Sequence, residues 1–229
     1  MTDEWNAWFI GVRRGKSKSA GVNHIVMTPH RLQTFTDGVF AIVITLLILD
    51  IRVPDVRAEA LGNALMHLLP RVFTYIMSFA VVALYWLVHH RMSDLVRHVD
   101  GPLVWLNMLW LLFVSVIPFP TALLGRYPLQ AIPIAVYGVN LILANIVGFF
   151  ITLYLRGHEN LSTEPLGNVR VASILPAYIL TNGTYIIAIG LGTIYPLASY
   201  VLFAGVLVWL AVRFSRRQTP FGKRPRQPT

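Results

Sequence analysis

Residues 171–212 read VASILPAYILTNGTYIIAIGLGTIYPLASYVLFAGVLVWLAV, and no residue between Arg170 and Arg213 carries a full charge. These 42 residues are twice the roughly 20 that one α-helix needs to cross a hydrocarbon core about 30 Å thick. Gly190, Gly192 and Pro196 fall near the middle of the run, where glycine and proline supply a turn. The stretch predicts two membrane helices joined as a tight hairpin.

The remainder of the chain follows the same pattern. Only 13% of its 229 residues are charged and 55% are hydrophobic, with a mean hydropathy of +0.61. Soluble domains carry about 25% charged residues, so this chain has too few to cover a water-facing surface. Toward the N-terminus, a span is expected between Arg126 and Arg156, starting near Gln130. Another runs from Pro102 to about Pro118 or Leu124, its end kinked or unwound by Pro118 and Pro120. A third runs from Arg71 to His90. The first begins near His30 and Arg31 and ends near Arg52, where Pro54 stops it. The reading is an all-α integral membrane protein with six transmembrane helices. Residues 1–29 form a basic, flexible leader, residues 30–213 one six-helix domain, and residues 214–229 a basic tail.

A net charge of +9 can indicate nucleic-acid binding, but here the cations cluster at the chain ends and in short loops. That is the distribution of a topology signal, so no nucleic-acid partner is expected. Placing both termini in the cytoplasm puts fifteen Lys and Arg inside and leaves Arg52, Arg57, Arg71 and Arg126 outside. Both ends are therefore read as cytoplasmic. The chain has no cysteine, which excludes disulfides and thiolate metal sites. Residues 1–26 lack the apolar core of a secretory signal; within them Trp5, Trp8, Phe9 and Ile10 are either flexible or touch the membrane surface.

The first helix carries the chemistry. Arg31, Phe35, Thr36 and Asp37 open a segment that otherwise reads as buried in lipid, and an ionisable group at that depth faces a protein partner or a watery path. On a wheel of about 100° per residue with Ile42 at the origin, Leu46 falls near 40°, Leu49 near 340° and Thr45 near 300°. These four share one face with i, i+3, i+4, i+7 spacing. Asp37 falls near 220° on the same wheel, on the far side. Spacing alone leaves two readings of the apolar stripe, helix packing or a pore wall. For Asp37 it favours a buried ion pair with Arg31 or a histidine.

The segment Arg31-x-x-x-Phe35-Thr36-Asp37-x-x-x-Ala41-Ile42 resembles the signature that opens the first helix of the transmembrane-protein-175 potassium channels. The family's usual Phe-Ser-Asp is Phe-Thr-Asp here, which keeps the hydroxyl. Tyr85-Trp86-x-x-His89-His90-Arg91, Asn107 and Pro118-Phe119-Pro120-Thr121 also fit the prokaryotic branch, and the resemblance spans residues 28–213.

The resemblance implies a homotetrameric, potassium-permeable cation channel in the cell membrane, surrounded by lipid, with first helices around the central path. It implies no re-entrant filter loop, no enzymatic activity and no cofactor or bound metal beyond permeant K⁺. Ile42 would be the hydrophobic constriction, Leu46 and Leu49 further pore-lining positions, and Thr45 a selectivity position giving modest preference for K⁺ over Na⁺. Arg31, Phe35, Thr36, Asp37, Trp86, His89, His90 and Asn107 would form the structural network that holds the first helix.

Two rival readings use other features. His90, Asp94 and His98 have i, i+4, i+8 spacing that could line up metal ligands, but no His-Glu-x-x-His pattern accompanies them. A secondary transporter would also use intramembrane Asp and His, and Pro118 with Pro120 supplies one helix break. Such folds place matching breaks in two repeats, and no second break is visible. A purely structural membrane scaffold is a third possibility.

Overall fold

The computed structural model describes residues 27–163 and 171–216. The expected leader over residues 1–26 and most of the tail, from residue 217, lie outside the described residues. Eight α-helices follow one another among them: α1 (Pro29–Leu47), α2 (Leu61–His67), α3 (Leu69–Ser93), α4 (Gly101–Val116), α5 (Pro118–Arg126), α6 (Ala131–Gly157), α7 (Val171–Leu191) and α8 (Pro196–Arg216). Six segments are long and apolar enough to cross a membrane: Pro29–Asp50, Leu69–Ser93, Gly101–Arg126, Ala131–Gly157, Ile174–Leu191 and Pro196–Arg216. The predicted hairpin is α7 and α8, with the Ser199 hydroxyl donating to the Ala188 carbonyl at 2.6 Å across its turn.

Local sequence explains the helix ends. Thr28 caps α1, its hydroxyl accepting from the Arg31 N–H, and Pro29 occupies the first turn, where a missing N–H costs nothing. Asp100 caps α4 by accepting from the Leu103 N–H at 3.0 Å. The short α2 was not expected. It lies in the connection between the first two spans and buries no residue in this chain.

The third span breaks where Pro118 predicts, and the structure supplies the repair. The Ile117 N–H turns to the Val114 carbonyl, so the Phe113 carbonyl loses its usual helical donor. The Asn140 side chain of α6 donates to it at 3.0 Å. In lipid a freed backbone group must find a protein partner; Asn140 is that partner. Replacing Asn140 by Leu strands the carbonyl and should destabilise the fold by about 1–3 kcal/mol. The check is the melting temperature of detergent-purified protein, and an unchanged value would remove Asn140 from this role.

Packing builds from α6, which touches α4, α5, α7 and α8, while α1 lies against α3, α4 and α5. Tyr137, Phe40, Leu47 and Val82 are among the fully buried side chains. Between α3, α5 and α6 a hydroxyl chain runs from Thr121 to Ser78 at 2.8 Å and from Ser78 to Tyr137 at 3.1 Å. Gly138 brings α6 close to α7: a Cβ there would lie 2.7 Å from Ile189 Cγ1. Small residues allow such approach between membrane helices. The α3–α4 loop meets the segment after α6, with Arg97 N–H on the Leu161 carbonyl at 2.7 Å and Thr163 N–H on the Leu95 carbonyl at 2.8 Å. Those two connections therefore lie on one side of the bundle.

Candidate functional site: the two faces of the first helix

Thr36 and Asp37 are successive residues of α1, so their side chains diverge by about 100° and reach different helices. Asp37 accepts from the Trp86 indole N–H of α3 at 2.8 Å. Trp86 in turn stacks on His90, with ring centroids 5.4 Å apart. The His90 Nδ1 lies 3.2 Å from the Gln33 side-chain amide of α1. One turn of α1 is thereby tied to one turn of α3 at two points.

Thr36 is fully buried. Its hydroxyl accepts from the Asn107 amide of α4 at 3.0 Å, and the Asn107 carbonyl oxygen lies 2.9 Å from His89 Nε2. With its amide donating to Thr36, Asn107 accepts from His89, which is thus the Nε2–H tautomer. The remaining His89 nitrogen, Nδ1, lies 3.3 Å from the Ser93 hydroxyl and accepts from it. His89 also stacks on Trp110 at 5.1 Å between centroids, and Phe40 of α1 lies against the same indole. The network is closed: each of its polar groups is matched by another.

Two residues expected in this network sit elsewhere. Arg31 is exposed, and among the described residues the group that donates to Asp37 is the Trp86 indole N–H. Phe35 is 51% exposed and shares the face of Ile42, seven positions later. Three members had no signal in the sequence: Gln33, Ser93 and Trp110. Each is an ordinary residue for its helix and gains meaning only from what lies opposite.

The other face of α1 is bare within the chain. Ile42 is 60% exposed and Leu46 43%, with Thr45 exposed between them; Leu49, 65% exposed, lies just beyond α1 in the 3₁₀ turn Ile48–Asp50 that continues it. Between these positions, Val43 and Leu47 are buried, so the helix presents one face to its own subunit and the Ile42 face to something else. The Thr45 hydroxyl donates to the carbonyls of Ala41 at 3.0 Å and Ile42 at 2.8 Å. Its proton is held inward on the helix, which turns oxygen lone pairs toward the open face.

The metal-ligand alignment considered for His90, Asp94 and His98 does not form. Among the described residues no three His, Asp or Glu side chains gather closely enough to hold an ion, and His90 is turned to Trp86 and Gln33.

Four similarities bear on this arrangement. Residues 31–118, which contain both faces of α1 and the Asn107 cluster, match the family model described as endosomal/lysosomal potassium channel TMEM175. A potassium channel of Chamaesiphon minutus is 34% identical over 193 residues, covering 82% of this chain and 93% of that one. A potassium channel of a Chryseobacterium strain is 38% identical over 120 residues, 52% of this chain and 61% of its own length. Among solved structures, a lysosomal potassium-selective channel TMEM175 homologue from Chamaesiphon minutus superposes with a TM-score of 0.70 at 29% identity, covering 81% of this chain and 97% of that one. With six membrane-crossing segments, the Phe-Thr-Asp opening of α1 and a relative matched over nearly its whole length, the chain belongs to the TMEM175 family.

Proposed function

We propose that the protein is one subunit of a potassium-permeable cation channel, a homotetramer in the cell membrane whose conduction path is lined by α1. The observation that carries this reading is the division of α1 into two faces. One is bound to its own subunit through Asp37–Trp86 and Thr36–Asn107; the other presents Ile42, Thr45, Leu46 and Leu49 outward. A helix anchored so firmly on one side suits a wall that must keep its other side in register around an axis. The potassium-channel relatives support the choice of ion.

Four Ile42 side chains would then meet in a ring with no polar group. Such a ring stops ions when it is too narrow to stay wet, and a small outward splay of the helices rehydrates it. One turn further on, four Thr45 hydroxyl oxygens replace part of the water around a dehydrating cation. K⁺ holds its water less tightly than Na⁺, so this exchange favours K⁺, though by less than a stack of backbone carbonyls would. In this reading both termini lie in the cytoplasm, which the Lys and Arg distribution supports.

The deciding experiment is reversal potential in vesicles holding the purified protein under opposed K⁺ and Na⁺ gradients, with single-channel recording alongside. A K⁺-directed potential with unitary current steps is expected. Smooth, saturating flux without steps would identify a carrier instead. In the same assay Thr45→Ala removes one oxygen contact per subunit, worth about 0.5–1.5 kcal/mol net. Its K⁺ preference should fall several-fold while current persists. A preference equal to that of the unmodified protein would take Thr45 out of selectivity.

A further inference from the structure

Between α1, α3, α4, α6, α7 and α8 lies a cavity of about 380 Å³, within the range of small-ligand sites. Most of its wall is apolar, with Leu84, Leu103, Ile151 and Leu155 in it. Two polar residues of the wall stand apart. Thr181 of α7 is only 4% exposed and lines the cavity, yet among the described residues its hydroxyl engages no hydrogen-bond partner. Other hydroxyls of these helices return to their own backbone: Thr152 donates to the Gly148 carbonyl at 2.9 Å and Thr184 to the Leu180 carbonyl at 2.8 Å. Asn145 of α6, also in the lining, accepts from the Tyr85 hydroxyl at 3.1 Å. Its amide nitrogen is 3.5 Å from the Asn182 side-chain oxygen. An amide nitrogen carries two hydrogens, so at least one N–H of Asn145 is left without a protein acceptor. Groups this buried are normally bonded, and a ligand oxygen is a partner the cavity can admit.

Depth narrows the occupant. Thr181 stands ten residues from the start of α7 at Val171, about 15 Å of helix rise. Asn145 stands twelve residues from the end of α6 at Gly157, about 18 Å. Both are near the middle of a hydrocarbon core about 30 Å thick. From there the lining continues to Val96 and Val99 of the α3–α4 connection. Arg91 and Arg213 line it too, but they belong to the helix ends, near Ser93 of α3 and Arg216 of α8. The polar groups in want of a partner are therefore at the deep end. A lipid tail entering from the bilayer surface would lay its methyl end against them and satisfy neither. A molecule that enters oxygen-first satisfies both: its oxygen accepts from the Asn145 amide and bonds the Thr181 hydroxyl. A charged head is costly at that depth, so the oxygen belongs to a neutral group.

We propose that this cavity binds a neutral amphiphile of the alcohol class, one apolar chain ending in a hydroxyl, inserted oxygen-first against Thr181 and Asn145. Binding here is independent of conduction, because it is read by a covalent adduct and not by current.

The test uses the full-length protein in detergent and a photoreactive octanol that carries a diazirine, with adducts located by peptide mass spectrometry. Adducts should fall on the α6 and α7 residues that line the cavity. Excess octanol should suppress them several-fold more than octane, which lacks the oxygen, or octanoate, which is charged. Thr181→Val keeps the shape and deletes the hydroxyl, so labelling should drop several-fold while the variant melts no lower than the unmodified protein. A second variant, Gly148→Leu, fills the cavity from α6. Its Cβ would meet only Trp110, at 3.5 Å, an ordinary contact, and labelling should vanish. Suppression by octane equal to that by octanol would show an apolar filling and overturn the proposal. Labelling indifferent to both variants would do the same, as would a lower melting temperature for Thr181→Val, the sign of a hydroxyl already bonded within the protein. Unmodified protein with no saturable adduct would also sink it, the result expected if water or the chain's own residues fill the cavity.

Discussion

Ile42→Ala should raise the K⁺ flux of reconstituted vesicles by about tenfold, a change of about 1.4 kcal/mol in the barrier. The substitution deletes three carbons from each subunit, and the apolar penalty falls by about 0.8 kcal/mol for each buried methylene. Relief of two such groups at the proposed constriction is already sufficient. Ile42 is 60% exposed in its own subunit, so its loss leaves the subunit core intact and, with α1 lining the path as proposed, the effect belongs to the path. Val43 provides the control one position along. At 2% exposure it belongs to the core, and Val43→Ala should lower the melting temperature with little change in flux per surviving channel. Equal flux from unmodified protein and Ile42→Ala, or an equal rise from Val43→Ala, would remove Ile42 from the constriction.

The second large effect concerns stability. Asn107→Ala removes the one amide that satisfies both Thr36 and His89. Two polar groups are then left buried without that partner, each costing about 1–3 kcal/mol, so the subunit should lose about 2–6 kcal/mol in all. Thermal unfolding in detergent and the yield of monodisperse protein report this loss. Trp86→Phe deletes only the donor to Asp37 and should cost less, because the ring and its stack on His90 remain. In both variants the protein that survives should keep its K⁺ preference, since neither side chain is on the Ile42 face. Asn107→Ala that melts normally yet changes ion preference would reverse the two roles assigned to α1.

Much of this architecture was legible because a bilayer imposes simple rules. Runs without charge must be helices, and their number follows from length. The six spans therefore lie where hydropathy and proline placed them, from the break at Pro118 to the turn between Leu191 and Pro196. The α1 stripe was legible for the same reason: Ile42, Thr45, Leu46 and Leu49 recur with the period of a helix. Residues that work only through a distant partner carried no such mark. Asn140 looks like an unremarkable polar residue until the Phe113 carbonyl is found unbonded across from it. Asp37 looked like half of an ion pair, and only the placement of α3 revealed an indole as its donor.

From the amino-acid order alone came the solvent, the number of candidate crossings and the two-faced character of the first helix. Each of these is a property of composition or short-range period. The partners of Thr36 and Asp37 and the repair of the α4 break were decided by tertiary structure. They join residues tens of positions apart, and such pairings depend on which helices pack together, a choice that local periodicity does not encode.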